Sequence, residues 1–225
     1  MKKTMTAAMF GSLIILSVAQ AVDTPPQAAT PERMTIFQVS LQCPAAPQIG
    51  CGSSAKPILL QLEHDSTVRE AWLNRTGTLI AVVWKSEPTS EARRGLASRL
   101  RTAGCCAREQ VVTELQGEVR EAALKDFQSG QGWYRGAEVD HLSEEEAGVI
   151  AARVVRRVEA RTALAKAKEE RLRRTLTAAA KKFLIDGGKE CPTAQQIAGD
   201  FLDKKQVAIL QQAVDSGMRP LSGEE

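Results

Sequence analysis

The stretch STVREAWLNRTGTLIAVVWK (66–85) constrains the chain more than any other. Val68, Ala71, Trp72 and Leu73 lead into Asn74-Arg75-Thr76-Gly77, and Leu79 to Trp84 is a strongly apolar run. Gly77 supplies the positive φ that a short turn needs, so the stretch predicts a β-hairpin. Upstream, MTIFQVSL (34–41) alternates apolar and polar residues and predicts a strand. CPAAPQIGCGSS (43–54), with two prolines and two glycines, reads as a loop. In AKPILLQLEHD (55–65), Ile58, Leu59 and Leu62 have helical spacing, and Pro57 belongs in a first turn, which places the helix start near Ser54. TSEARRGLASRLRTAG (89–104) predicts a second helix, capped by Thr89 or Ser90 and stopped at Gly104. REQVVTELQ (108–116) supplies a fourth strand. The order over 34–116 is β-α-β-β-α-β, the ferredoxin-like plan.

The remainder, 117–225, reads as helical, so the fold class is α+β: an N-terminal ferredoxin-like domain and an all-helical C-terminal region. GEVREAALKDFQ (117–128) predicts a short helix and SGQGWYRG (129–136) a glycine-rich break. Residues 141–188 read as one long helix or two stacked ones, with a long amphipathic helix over about 143–186. Ser143 followed by Glu146 matches a capping box. Ile150, Val154, Val158 and Ala165, then Leu172, Leu176 and Phe183, form an apolar stripe amid Arg, Lys and Glu. That stripe needs cover, either from a last helix within 191–216 or, coiled-coil fashion, from a second copy of the chain.

The compartment decides what a cysteine can be. Lys2 and Lys3 precede an apolar run to Val18, and Ala19-Gln20-Ala21 has the small-x-small cleavage pattern. Residues 1–21 therefore read as a signal peptide, 22–33 as a Pro- and Ala-rich linker, and the mature protein as periplasmic. Removing 1–21 takes away two lysines and no acid, lowering the formal net charge from +3 to +1. So small a charge argues against a nucleic-acid partner, which would demand a basic surface.

Five cysteines occur, four of them as the groups Cys43, Cys51 and Cys105, Cys106. In this topology the loops that carry the two groups can approach one end of the sheet. Three readings stand side by side: structural disulfides, which an oxidising compartment favours; a soft-metal thiolate site; and inert burial. A vicinal Cys105–Cys106 bridge is strained. Cys51 precedes a helix, a position that lowers a thiol's pKa.

Residues 34–116 resemble the heavy-metal-associated domain found in periplasmic mercury-binding proteins and copper chaperones. The likeness lies in the strand MTIFQVSL, a cysteine before a helix with an early Lys56, and Val68 at the following strand. It continues through the hairpin to VVW and the second helix to Ala103-Gly104. The resemblance implies binding and delivery of Hg(II) or Cu(I), with a membrane metal transporter or another envelope protein as partner and no enzymatic activity. It covers nothing of the helical half. One departure matters: the family's metal loop has two residues between its cysteines, and here seven lie between Cys43 and Cys51. Cys51 takes the helix-proximal position, and Cys105 or Cys106 would replace the missing thiol from across the loop end. The candidate ligands are thus Cys51, Cys105, Cys106 and Cys43, with no resident cofactor. The competing reading is a non-enzymatic envelope assembly or interaction protein on a disulfide-stapled scaffold.

Other chemistry-bearing residues read as structural. His64 closes the first helix, His141 sits in the hinge before the capping box, and Cys191 is a lone cysteine at a helix start. Trp72, Trp84 and Trp133 read as core, and the Glu144–Glu146 run as a helix-start charge pattern. No Ser-His-Asp set, phosphate loop or dinucleotide glycine pattern is present, and no Cys-x-x-Cys supports thiol oxidoreduction.

Overall fold

A computed structural model describes residues 30–102, 111–185 and 192–224. The chain is mixed α and β. After a 3-10 turn at Pro31–Arg33, strand β1 (Met34–Gln38) enters a small hairpin, β2 (Gln42–Cys43) and β3 (Ala46–Gly50), and then helix α1 (Gly52–Glu63). Strands β4 (Val68–Asn74) and β5 (Leu79–Trp84) form the expected hairpin, followed by α2 (Ser90–Thr102) and the short β6 (Thr113–Glu114). Next come α3 (Gly117–Gln128), β7 (Trp133–Tyr134), α4 (Asp140–Glu159), α5 (Lys166–Ile185), α6 (Ala194–Ala198) and α7 (Lys204–Asp215).

The main sheet has the order β6-β1-β5-β4-β7 with every pairing antiparallel. Side chains on a strand alternate between faces, and here both faces are covered. Phe37, Leu73, Ile80, Val82 and Trp84 meet α1 and α2, while Met34, Ile36, Trp72, Ala81 and Val83 meet Phe127 and Leu124 of α3. Burial on both sides explains why β5 reads as a continuous apolar run. The three tryptophans are core, as read. The predicted division after residue 116 falls inside this unit, because α3 seals the second face and β7 extends the sheet beside β4.

Three local expectations are corrected. Residues 43–54 are not wholly loop: β2 and β3 pair, with Pro44 and Pro47 exposed, as prolines at a sheet edge are. Helix α1 starts at Gly52 rather than near Ser54, because the Cys51 N–H bonds the Leu41 carbonyl while its own carbonyl accepts from Ala55. Pro57 is tolerated inside because the Ser53 carbonyl it leaves unpaired lies on an exposed turn. Residues 143–186 are two helices, α4 and α5, not one. The chain turns back over 160–165 without glycine or proline, because an apolar stripe on each helix can be buried only by folding one onto the other. Val154, Val155 and Val158 of α4 thereby meet Leu172 and Leu176 of α5, with Ile197 of α6 and Leu210 of α7 completing a second core. The stripe's expected cover within 191–216 is in place.

Helix α4 joins the two cores. Leu142 and Ile150 belong to the sheet's core and Ala151 to Val158 to the bundle's.

Candidate functional site

Cys51 caps the N-terminus of α1 in extended conformation (φ −77°, ψ 97°) and is partly exposed. Its Sγ lies 3.1 Å from Ser54 Oγ and 3.3 Å from Ser53 Oγ. The position follows from local chemistry: Gly50 hands its N–H to the Arg75 carbonyl and Leu41 hands its own to Gly77, clamping the cysteine hairpin to the β4–β5 turn. Close approach requires glycine on both sides, since a Cβ on Gly77 (φ +71°) would collide with the Leu41 carbonyl and Gly50 Cα. Asn74 shapes that turn, its Oδ1 accepting the N–H groups of Thr78 and Leu79. Cys51 is the N-cap of α1, but its thiol makes no capping hydrogen bond to the helix's first N–H groups and turns to the two serine hydroxyls instead.

Cys43 is placed very differently. It is 2% exposed, donates its thiol proton to Glu146 Oε1 at 2.8 Å, and accepts the Ala45 N–H at 3.2 Å. Burial first, then the hydrogen bond to Glu146 and that carboxylate's charge, push the thiol up to about 12. Burial raises Glu146 as well, with the thiol's hydrogen bond opposing it. Near neutral pH Cys43 is therefore a protonated thiol, not a ready thiolate. Both described cysteines are free.

Glu146 corrects the sequence reading. Ser143 and Glu146 make no capping box, because α4 begins at Asp140 and both residues lie buried in its second turn. Two turns further on, Arg153 donates to the carbonyls of Ala45 (2.6 Å) and Met218 (2.7 Å). Ser143 Oγ, Glu146 Oε2 and Arg153 Nε are buried without a hydrogen-bond partner among the described residues. Together they make a polar seam where α4 passes beneath the cysteine hairpin. An S-x-x-E pattern before an apolar run signals a cap; only the distant Cys43 reveals the other use.

Cys105 and Cys106, the other two candidate ligands, lie outside the described residues, as does Cys191. The approach to them is described. Arg99 pairs with Asp65 at 2.6 Å, and Leu100 shares a cleft with Ile58, Gln61 and Leu62. The last turns of α2 thus lie along the C-terminal half of α1, which is about 18 Å long at 1.5 Å per residue. Cys51 caps the other end. Among the described residues, no three His, Cys, Asp or Glu side chains cluster as a metal site. His64 is the C-cap of α1, its Nδ1 2.5 Å from the Leu60 carbonyl, and His141 is exposed in the first turn of α4. Comparisons with protein-family models, curated proteins and solved structures found no match.

Proposed function

We propose that this is a periplasmic, non-enzymatic protein that binds a soft heavy-metal ion, Hg(II) or Cu(I), and hands it on by thiolate exchange. The observation that carries the reading is Cys51, a free and partly exposed thiol at the N-terminus of a helix, flanked by two hydroxyls. Soft ions prefer sulfur ligands, and this sulfur is reachable from solvent. Cys105 or Cys106 supplies the second sulfur. Cys43 comes last in the set, since it must first surrender a proton that burial and Glu146 hold. In transfer, an incoming thiolate from a membrane transporter or other envelope protein adds before an outgoing one leaves. The sheet order β6-β1-β5-β4, all antiparallel with α1 and α2 on one face, supports a ferredoxin-like core of the heavy-metal-associated kind, with α3 and β7 as additions.

The test is uptake by fully reduced mature protein. Wild type should bind about one Hg(II) or Cu(I), an expectation from thiolate softness. Cys51→Ser and the double Cys105→Ser, Cys106→Ser change should each remove most of the affinity, and Cys191→Ser should not. Affinity should rise with pH as thiols ionise. A second reading, the envelope interaction scaffold, draws support from Cys43, whose thiol ties the hairpin to α4. Equal metal uptake by wild type and Cys51→Ser decides for the scaffold.

A further inference from the structure

Helices α4, α5, α6 and α7 frame a half-open cavity of about 250 Å³. Its wall includes Ile150 and Val154 of α4 and Leu176, Ala179 and Ala180 of α5, with Met218 at one edge, and among the described residues every side chain lining it is apolar. The width has a sequence origin: α5 carries Ala179 and Ala180 where bulkier residues would narrow the gap between helices.

We propose that this cavity is a binding site for a compact, uncharged apolar molecule. Water is poorly held there, because an ordered water needs two to four polar partners and the described wall offers no polar side chain. The size is selective. A cavity of about 150 Å³ holds a benzene ring, so this one suits a two-ring aromatic or a short hydrocarbon chain. The edge is preformed, as ligand pockets between bundle helices usually are. Gly217 and Met218 are fixed by buried guanidinium groups, Arg157 donating to the Gly217 carbonyl at 2.6 Å and Arg153 to the Met218 carbonyl at 2.7 Å. Arg153 also grips the Ala45 carbonyl, so the edge is anchored to the hairpin as well as to α4.

The experiment titrates the mature protein, carrying ¹³C-methyl methionine, with indole and with naphthalene, reading the Met218 methyl resonance and the thermal midpoint. Wild type should show a saturable Met218 shift and a midpoint raised by a few degrees, the usual consequence of a ligand that binds only the folded state. Ala180→Leu, which fills the space, should bind at least about tenfold more weakly while keeping its helical circular dichroism. Ala179→Val serves the same purpose if Ala180→Leu does not fold. The proposal is overturned if neither probe moves Met218, or if the filled variant binds as tightly as wild type. It is equally overturned if filling the cavity dissociates a dimer, which would make the space a contact between copies. Cys51→Ser should leave probe binding unchanged, so this site and the thiol site stand or fall separately.

Discussion

Cys43 and Glu146 are 103 residues apart in sequence and 2.8 Å apart in space. Their hydrogen bond fixes the hairpin to α4, and it also silences the thiol. Folded Cys43 keeps its proton up to about pH 12, whereas an unfolded cysteine loses it near 9. Between those values the folded state binds the extra proton, so stability present below pH 9 is lost as pH rises toward 12. The urea midpoint of wild type should therefore fall more steeply above pH 9 than that of Cys43→Ala. At pH 7 the same Ala variant should lose roughly 1–3 kcal/mol, because it leaves Glu146 buried with neither oxygen satisfied. Cys43→Ser, which keeps a donor, should lose less. Equal losses for Ala and Ser would show that packing, not the hydrogen bond, holds the pair. Native alkylation near neutral pH should label Cys51 and spare Cys43, which mass spectrometry reads directly.

At the scale of elements, a tight junction is Gly52 against the start of α4. A Cβ there would overlap the Val139 carbonyl and Ser143 Oγ, and a backbone oxygen cannot swing aside as a side chain can. Gly52→Ala should cost roughly 1–3 kcal/mol, the range for forced overpacking, although alanine favours the helix interior. Denaturation in urea measures it, and a neutral or stabilising result would mean that α1 and α4 separate easily. This junction marks where sequence reading stops. The β4–β5 hairpin, the α2 cap at Thr89 and the strand faces were legible because turn chemistry and period-2 burial are local. The pairing of β2 with β3 was hidden by Pro44 and Pro47, which look like loop residues wherever they occur. Glu146 was hidden because a helix starting at Asp140 and one capped at Ser143 share the same pattern, and only long-range contact distinguishes them. Of the candidate ligands, Cys51 was placed correctly before its helix, but nothing local told its environment from that of Cys43.

Seen whole, the molecule has two cores and one helix common to both. Leu142 and Ile150 of α4 sit among sheet residues, and Val154, Val155 and Val158 sit in the bundle. The sheet unit and the bundle should consequently unfold together, in one transition seen identically by tryptophan fluorescence, which reports the sheet where all three tryptophans lie, and by helical circular dichroism. Two separated transitions would show that α4 breaks between its halves. Arg157 ties the bundle to the C-terminal segment: its guanidinium forks onto the Glu224 carboxylate at 2.8 and 2.7 Å and holds the Gly217 and Arg219 carbonyls. The shared helix also acts as an angular gauge. Each residue of an α-helix advances the chain by about 100°, so deleting one position between Ile150 and Val154 would rotate one core's contacts off their partners while leaving the other's intact. A length change in the 160–165 connection should therefore leave both cores in register, whereas one in the middle of α4 should put the two halves out of phase.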